Sequence, residues 1–141
     1  MSSPLREKQK KALNDFIEFC KNQSFDNKIK NIPTEKAEHL KLVSWLNLKH
    51  LKFNHTANER KTTARQGAEF KRLGVKKGFP DISVFLSDKV LFIELKRSVK
   101  SKSVVSKEQS EWIEFFKSLS YAKAKICYGA NEAIEFIKTN L

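Results

Sequence analysis

The sequence predicts an α/β domain built on a mixed sheet flanked by helices, with an extra helix at the N-terminus. Three observations carry this reading. Helix-like and strand-like segments alternate along most of the chain. Two strand-like runs, residues 81–86 and 90–96, are separated only by Ser87-Asp88-Lys89, the mark of a hairpin. A further apolar run at 124–128 follows a helical segment and reads as another buried strand. At 141 residues, 40% of them hydrophobic and eleven of them phenylalanine, the chain is long and apolar enough for one real core.

The elements follow in order. Residues 5–21 read as an amphipathic helix, with Leu5, Ala12, Leu13, Phe16, Ile17 and Cys20 near one face and Lys8, Lys10 and Lys11 around it. The polar stretch 22–31 reads as a linker, so residues 1–33 form a helix and linker, and 34–141 the main domain. Pro33-Thr34-Glu35 opens a second helix to about Leu48, with Leu42, Trp45, Leu46 and Leu48 on its core side. Glu35, Glu38 and His39 fall within its first turns, close enough to project together. Residues 53–57 suggest a short strand. Thr62 or Thr63 then caps a third helix, which ends at Leu73 with Gly74 beyond it. The loop 75–80 adds Lys76 and Lys77, and Gly78 is expected to let the backbone approach a ligand closely. After the hairpin comes a basic loop, 98–105. Ser106-Lys107-Glu108-Gln109 is a capping box opening a helix to about Leu119, and Asn131 is the expected cap of a last helix to Lys138.

Charge narrows the partners. Lys and Arg number 28 against 16 Asp and Glu, a net charge of +12 and a pI near 9.8, which favours nucleic acid or an anionic membrane. No apolar run approaches the length of a membrane span and the polar Met-Ser-Ser-Pro start is no signal peptide, so a cytoplasmic protein is expected. Cys20 and Cys127 have no metal-ligand spacing and read as reduced, buried thiols. His39, His50 and His55 form no zinc spacing either.

The hairpin holds the chemistry. Glu-x-Lys occurs three times in this lysine-rich chain, at 59–61, 69–71 and 94–96, but only Glu94-Leu95-Lys96 lies in a strand. Strand side chains alternate between faces. Ile82, Val84 and Leu86 share one face of their strand, and Leu91, Ile93 and Leu95 one face of the next; Asp81, Ser83, Phe85 and Phe92, Glu94, Lys96 occupy the others. With Leu86 placed near residue 91, Asp81 falls opposite Lys96 and Glu94 opposite Ser83. Asp81 and Glu94 are then diagonal neighbours, roughly 7 Å apart at the backbone. Such a cluster can hold a hard divalent cation beside a phosphate. The plainer reading is a cross-strand ion pair at a sheet edge.

In this order and spacing the pieces resemble the VRR-NUC family, within the PD-(D/E)xK superfamily of restriction-endonuclease-like folds. The likeness rests on Glu35 in a helix ending Trp45-Leu46; Asn58-Glu59-Arg60 after a short strand; Lys71-Arg72-Leu73-Gly74-Val75; Gly78-Phe79-Pro80-Asp81; Glu94-Leu95-Lys96; and Ser106-Lys107-Glu108-Gln109 before Trp112. It covers about two thirds of the chain and says nothing of residues 5–21. The resemblance implies magnesium- or manganese-dependent cutting of DNA in a bacterial or phage-encoded protein. Stand-alone members of the family look like homodimeric resolvases of Holliday junctions, acting in repair, recombination or phage replication.

Asp81 and Glu94 are the expected metal ligands, helped by the Leu95 carbonyl, while Lys96 would stabilise developing charge or position the attacking water. The resemblance adds Glu35 as a third carboxylate, with Glu38 or Glu59 as alternatives. Gln109 is expected to bond Lys96 or the phosphate, although its capping box already explains it. His55 reads as a strand residue rather than a base. Arg60, Arg65, Lys71, Arg72, Lys76, Lys77, Arg97, Lys100 and Lys102 are candidate phosphate contacts. No recognition helix or zinc module is visible, so binding through backbone and shape is expected. The rivals are a non-catalytic nucleic-acid-binding module on a nuclease fold, a sequence-specific restriction enzyme, and a nuclease of plain duplex or RNA.

Overall fold

The computed structural model describes residues 4–57 and 62–141, with only the backbone described for residues 4, 5, 20 and 22–30. The chain divides into two units, residues 1–32 and 33–141. The first is a single helix, α1 (Pro4–Lys30). It continues through 22–30, where a linker was expected. That segment contains no proline or glycine, and its asparagines and serine are only weak helix formers, not breakers. Leu13, Phe16, Ile17 and Phe19 are exposed on it.

The second unit runs α2 (Glu35–Leu48), β1 (Lys52–His55), α3 (Ala64–Arg72), β2 (Ile82–Phe85), β3 (Val90–Lys96), a 3-10 turn (Lys100–Lys102), α4 (Lys107–Lys117), β4 (Ala122–Tyr128) and α5 (Ala130–Lys138). The strands lie in the order β1-β2-β3-β4. The first two pairings are antiparallel and β3 pairs with β4 in parallel, so the expected mixed sheet is present.

Both faces of the sheet are covered. On one face Ile82, Val84, Leu91, Ile93 and Leu95 pack with Leu42 and Leu46 of α2 and with Ala130, Ala133 and Ile137 of α5. On the other, Ile113 and Phe116 of α4 pack on Ala124, with Phe79, Phe92 and Trp112 beside them. The Phe92 and Phe116 rings stack at 3.7 Å, and Phe79 meets both edge-on. Burial on two sides explains why β3 is apolar almost throughout until Glu94.

The structure departs from several of the expectations. Ser83 pairs with Phe92 and Ile82 with Ile93, so the hairpin register is shifted by two residues from the one expected. An even shift keeps every side chain on its face. It also brings Asp81 level with Glu94 rather than with Lys96. The connection is the longer loop 86–89, closed by Leu86 N–H donating to the Lys89 carbonyl at 2.9 Å. Leu48 is 73% exposed and not part of the core. Gly129, at φ 92°, and not Asn131, precedes α5. The positive φ suits glycine, and a Cβ there would lie 3.1 Å from the Ser98 Cβ.

Candidate active site

The site is assembled where the hairpin ladder ends. The last paired residues are Ile82 and Ile93, so the Leu95 N–H lies beyond the reach of β2's backbone ladder. The Asp81 side chain takes its place, accepting from Leu95 N at 2.8 Å through Oδ2. The Asp81 carbonyl is fixed in turn by two donors at the end of β1, the His55 Nδ1 at 3.0 Å and the Thr56 N–H just beyond it at 2.8 Å. Both the backbone and the carboxylate of Asp81 are therefore held by neighbouring strands.

Glu94 is the unusual group. Its side chain is 2% exposed, and Lys96, at 7%, places Nζ 3.2 Å from Glu94 Oε1. Gln109 Nε2 donates to the same oxygen. The second oxygen, Oε2, is buried with no hydrogen-bond partner. Burial pushes the Glu94 carboxyl up to about 7; the charges of Asp81 and, more weakly, Glu35 add to the rise, and Lys96 opposes it. A buried carboxylate with an orphaned oxygen beside a second carboxylate is short of positive charge. Two hard oxygen donors in that condition fit a divalent cation. Among the described residues, no three His, Cys, Asp or Glu side chains form a ready-made metal cluster.

Other expected residues divide sharply. Glu35 lines a cavity of about 400 Å³ with Lys36, His39, His55, Asp81 and Leu95. Glu38 points elsewhere: it is buried and its Oε2 accepts from the Ala130 N–H at 2.6 Å, at the start of α5. Glu35 and Glu38 therefore do not project together, and the burial of Glu38 has a structural cause. Gln109 bonds Glu94 and not Lys96. Its Oε1 accepts from the Ser106 N–H at 2.9 Å, so one side chain closes the capping box with its oxygen and serves the acid pair with its nitrogen. Gly78 has a structural reason of its own besides the expected ligand approach, and it also lines a second groove. A Cβ there would lie 2.7 Å from the Gln109 N and the Glu108 C, so Gly78 lets its loop lie against the first turn of α4.

The basic residues also separate. Arg60 and Glu59 lie outside the described residues. Arg65, Lys71 and Arg72 lie on α3, where Arg72 is engaged by Glu69 at 2.8 Å. Lys76 and Lys77 follow in the exposed loop, with Lys77 3.7 Å from Glu108. Arg97 donates to the Pro33 carbonyl at 3.1 Å. Lys100 lies over the Tyr128 ring, and Lys102 is exposed in the same 3-10 turn. Lys71, Lys76 and Lys77 together line that second groove. The sequence reading set aside one feature of the site, the pair of His39 and His55. Their rings meet edge-on at 4.3 Å on the wall of the Asp81 cavity. The pairing of β1 with β2 brings His55 to Asp81 and the packing of α2 brings His39 to His55, whereas no spacing in the sequence joins residues 39, 55 and 81.

No protein-family model matches the sequence, and no curated protein does. Among the described residues, no helix is long and apolar enough to cross a membrane. A solved structure of a VRR_NUC domain protein superposes with a TM-score of 0.60 at 24% identity, covering 76% of this chain and 87% of that one. The chain thus shares its mixed α/β fold with a VRR_NUC domain protein.

Proposed function

We propose that the protein is a magnesium- or manganese-dependent DNA endonuclease that hydrolyses phosphodiester bonds, acts as a homodimer and prefers branched DNA. The observation that carries the reading is the buried Glu94 carboxylate, flanked by Asp81 and left with one oxygen unsatisfied, at the end of two strands. The VRR_NUC structural neighbour and the net charge of +12 support it.

Asp81 and Glu94 would hold the cation, with the Leu95 carbonyl beside them. Bound there, it would supply positive charge to the phosphate and acidify its water. The chain's own residues do the rest. Gln109 and Lys96 both donate to Glu94 Oε1, which fixes the carboxylate and leaves Oε2 for another partner. Lys96 sets a positive charge at the acid pair, where it offsets charge developing on the phosphate or orients the attacking water. The Leu95 N–H, His55 and the Thr56 N–H prevent Asp81 from turning away. Glu35 stands on the cavity wall and adds negative potential at Glu94.

Dimerisation would present two such sites to the two equivalent strands of a symmetric junction. The exposed Leu13, Phe16 and Ile17 of α1 offer an apolar face for such pairing. The test is cleavage of a labelled panel of duplex, flap, fork and four-way junction DNA, with and without Mg²⁺ or Mn²⁺, alongside sedimentation at micromolar protein. The expected outcome is cation-dependent cutting, fastest on the junction, by a dimer. No cutting of any substrate overturns the nuclease reading, whereas a monomer that cuts junction and duplex equally removes the dimer and the branch preference alone.

A further inference from the structure

The larger groove beside the acid pair is not accounted for by hydrolysis. It encloses about 690 Å³, within the range of pockets that hold small aromatic groups, and is lined by Ala57, Phe70, Lys71, Val75, Lys76 and Lys77 among others. Its lining contains no acidic residue among those described, in contrast to the cavity of Glu35 and Asp81. Neither Lys71 nor Lys76 has an ion-pair partner among the described residues. Phe70 lies half-buried on α3, a helix with no buried residue, so its ring is placed at the groove and not in the core. An apolar floor with an aromatic ring, rimmed by lysines, matches a nucleotide: a flat base on the ring and phosphates on the ammonium groups. Ala57 lines both cavities, and the groove's Gly78 stands three residues before Asp81. The groove therefore opens beside the acid pair.

We infer that this groove takes one unstacked base of the DNA strand next to the scissile phosphate, with Phe70 as the stacking platform and Lys71 and Lys76 on the flanking phosphates. The inference rests on DNA being the substrate, as proposed above, and adds what distinguishes a good substrate from a poor one. A fully paired duplex must first be unpaired to fill the groove, whereas a bulge or branch offers the base without that cost.

The test uses the full chain in EDTA, where cation-dependent cutting cannot interfere. The probes are a short duplex carrying one unpaired 2-aminopurine and its fully paired counterpart. Wild type should bind the unpaired probe about tenfold or more tightly than the paired one and raise its emission, because the base leaves the neighbouring bases that quench it. Phe70→Leu should lose the preference and the emission change while keeping its affinity for the paired probe, and Phe70→Tyr should restore the preference. Equal wild-type affinity for the two probes overturns the inference, even if Phe70→Leu fails to fold. So does a preference that survives in Phe70→Leu or vanishes in Phe70→Tyr. The outcomes separate from those of the nuclease reading: a base preference in a protein that cuts nothing leaves the groove and removes the enzyme, and cutting without the preference does the reverse.

Discussion

Glu94 is placed where its charge is unfavourable, and that has a measurable cost. Burial raises its carboxyl from 4.5 to about 7, so the folded protein binds this proton more tightly than the unfolded chain does. The corresponding stability is fully present below pH 4.5 and is lost as the pH rises through about 7. At about 1.4 kcal/mol per pH unit the loss is on the order of 3 kcal/mol. In EDTA, Glu94→Gln should therefore gain on wild type between pH 5 and 8, when denaturant midpoints are compared; a gap that does not change with pH would contradict the strained carboxylate. That Asp81, Glu94 and Lys96 come together was legible in the sequence because strand alternation fixes the face whatever even register the hairpin adopts. The choice between Glu35 and Glu38 was not legible. Both fit the same helical turns, and only the packing of α5 against α2 shows that Glu38 is used to receive the Ala130 N–H.

At the level of elements, α4 couples helix capping to the acid pair. The Ser106–Gln109 box was readable from local sequence, and so was a threonine cap on α3, which in the structure is Thr63 rather than Thr62. A second role for Gln109 was expected toward Lys96 or the phosphate, but its bond to Glu94, 15 positions away, was not readable. Gln109→Glu separates the two roles. A glutamate still accepts from the Ser106 N–H and suits a helix start, but it sets a carboxylate against Glu94 in place of a donor. Far-UV circular dichroism should stay near wild type while cleavage falls about ten- to a hundredfold; unchanged cleavage would reduce Gln109 to a cap. Gly78 is the other joint. Gly78→Ala meets the backbone of Glu108 and Gln109 at 2.7 Å and must hold φ 81°, so a loss of about 2 kcal/mol or more is expected. Urea unfolding measures it, and a loss under about 0.5 kcal/mol would show that the loop does not press on α4. The register shift and the run of α1 through 22–30 escaped the sequence for related reasons: loop length alone does not set register, and weak helix formers do not end a helix.

For the whole molecule, the mixed sheet and its order of elements were legible because each run is bounded by a cap or a turn. The covering of the sheet on both faces and the His39–His55 pair depend on contacts distant in sequence. The charge of +12 predicts that DNA affinity falls steeply with salt. Replacing Lys76 and Lys77 by alanine should weaken binding alike for unrelated sequences and flatten the log–log salt slope by up to about two units. Loss confined to one sequence would indicate base readout instead. The central claim is that Asp81 and Glu94 form a cation-dependent hydrolytic site. The most direct measurement compares wild type, Asp81→Asn and Glu94→Gln for cleavage of four-way junction DNA in Mg²⁺ or Mn²⁺, with DNA affinity measured in parallel in EDTA. The expected result is cutting by wild type only, with all three proteins binding DNA with similar affinity. Cutting by both variants at near wild-type rate would contradict it.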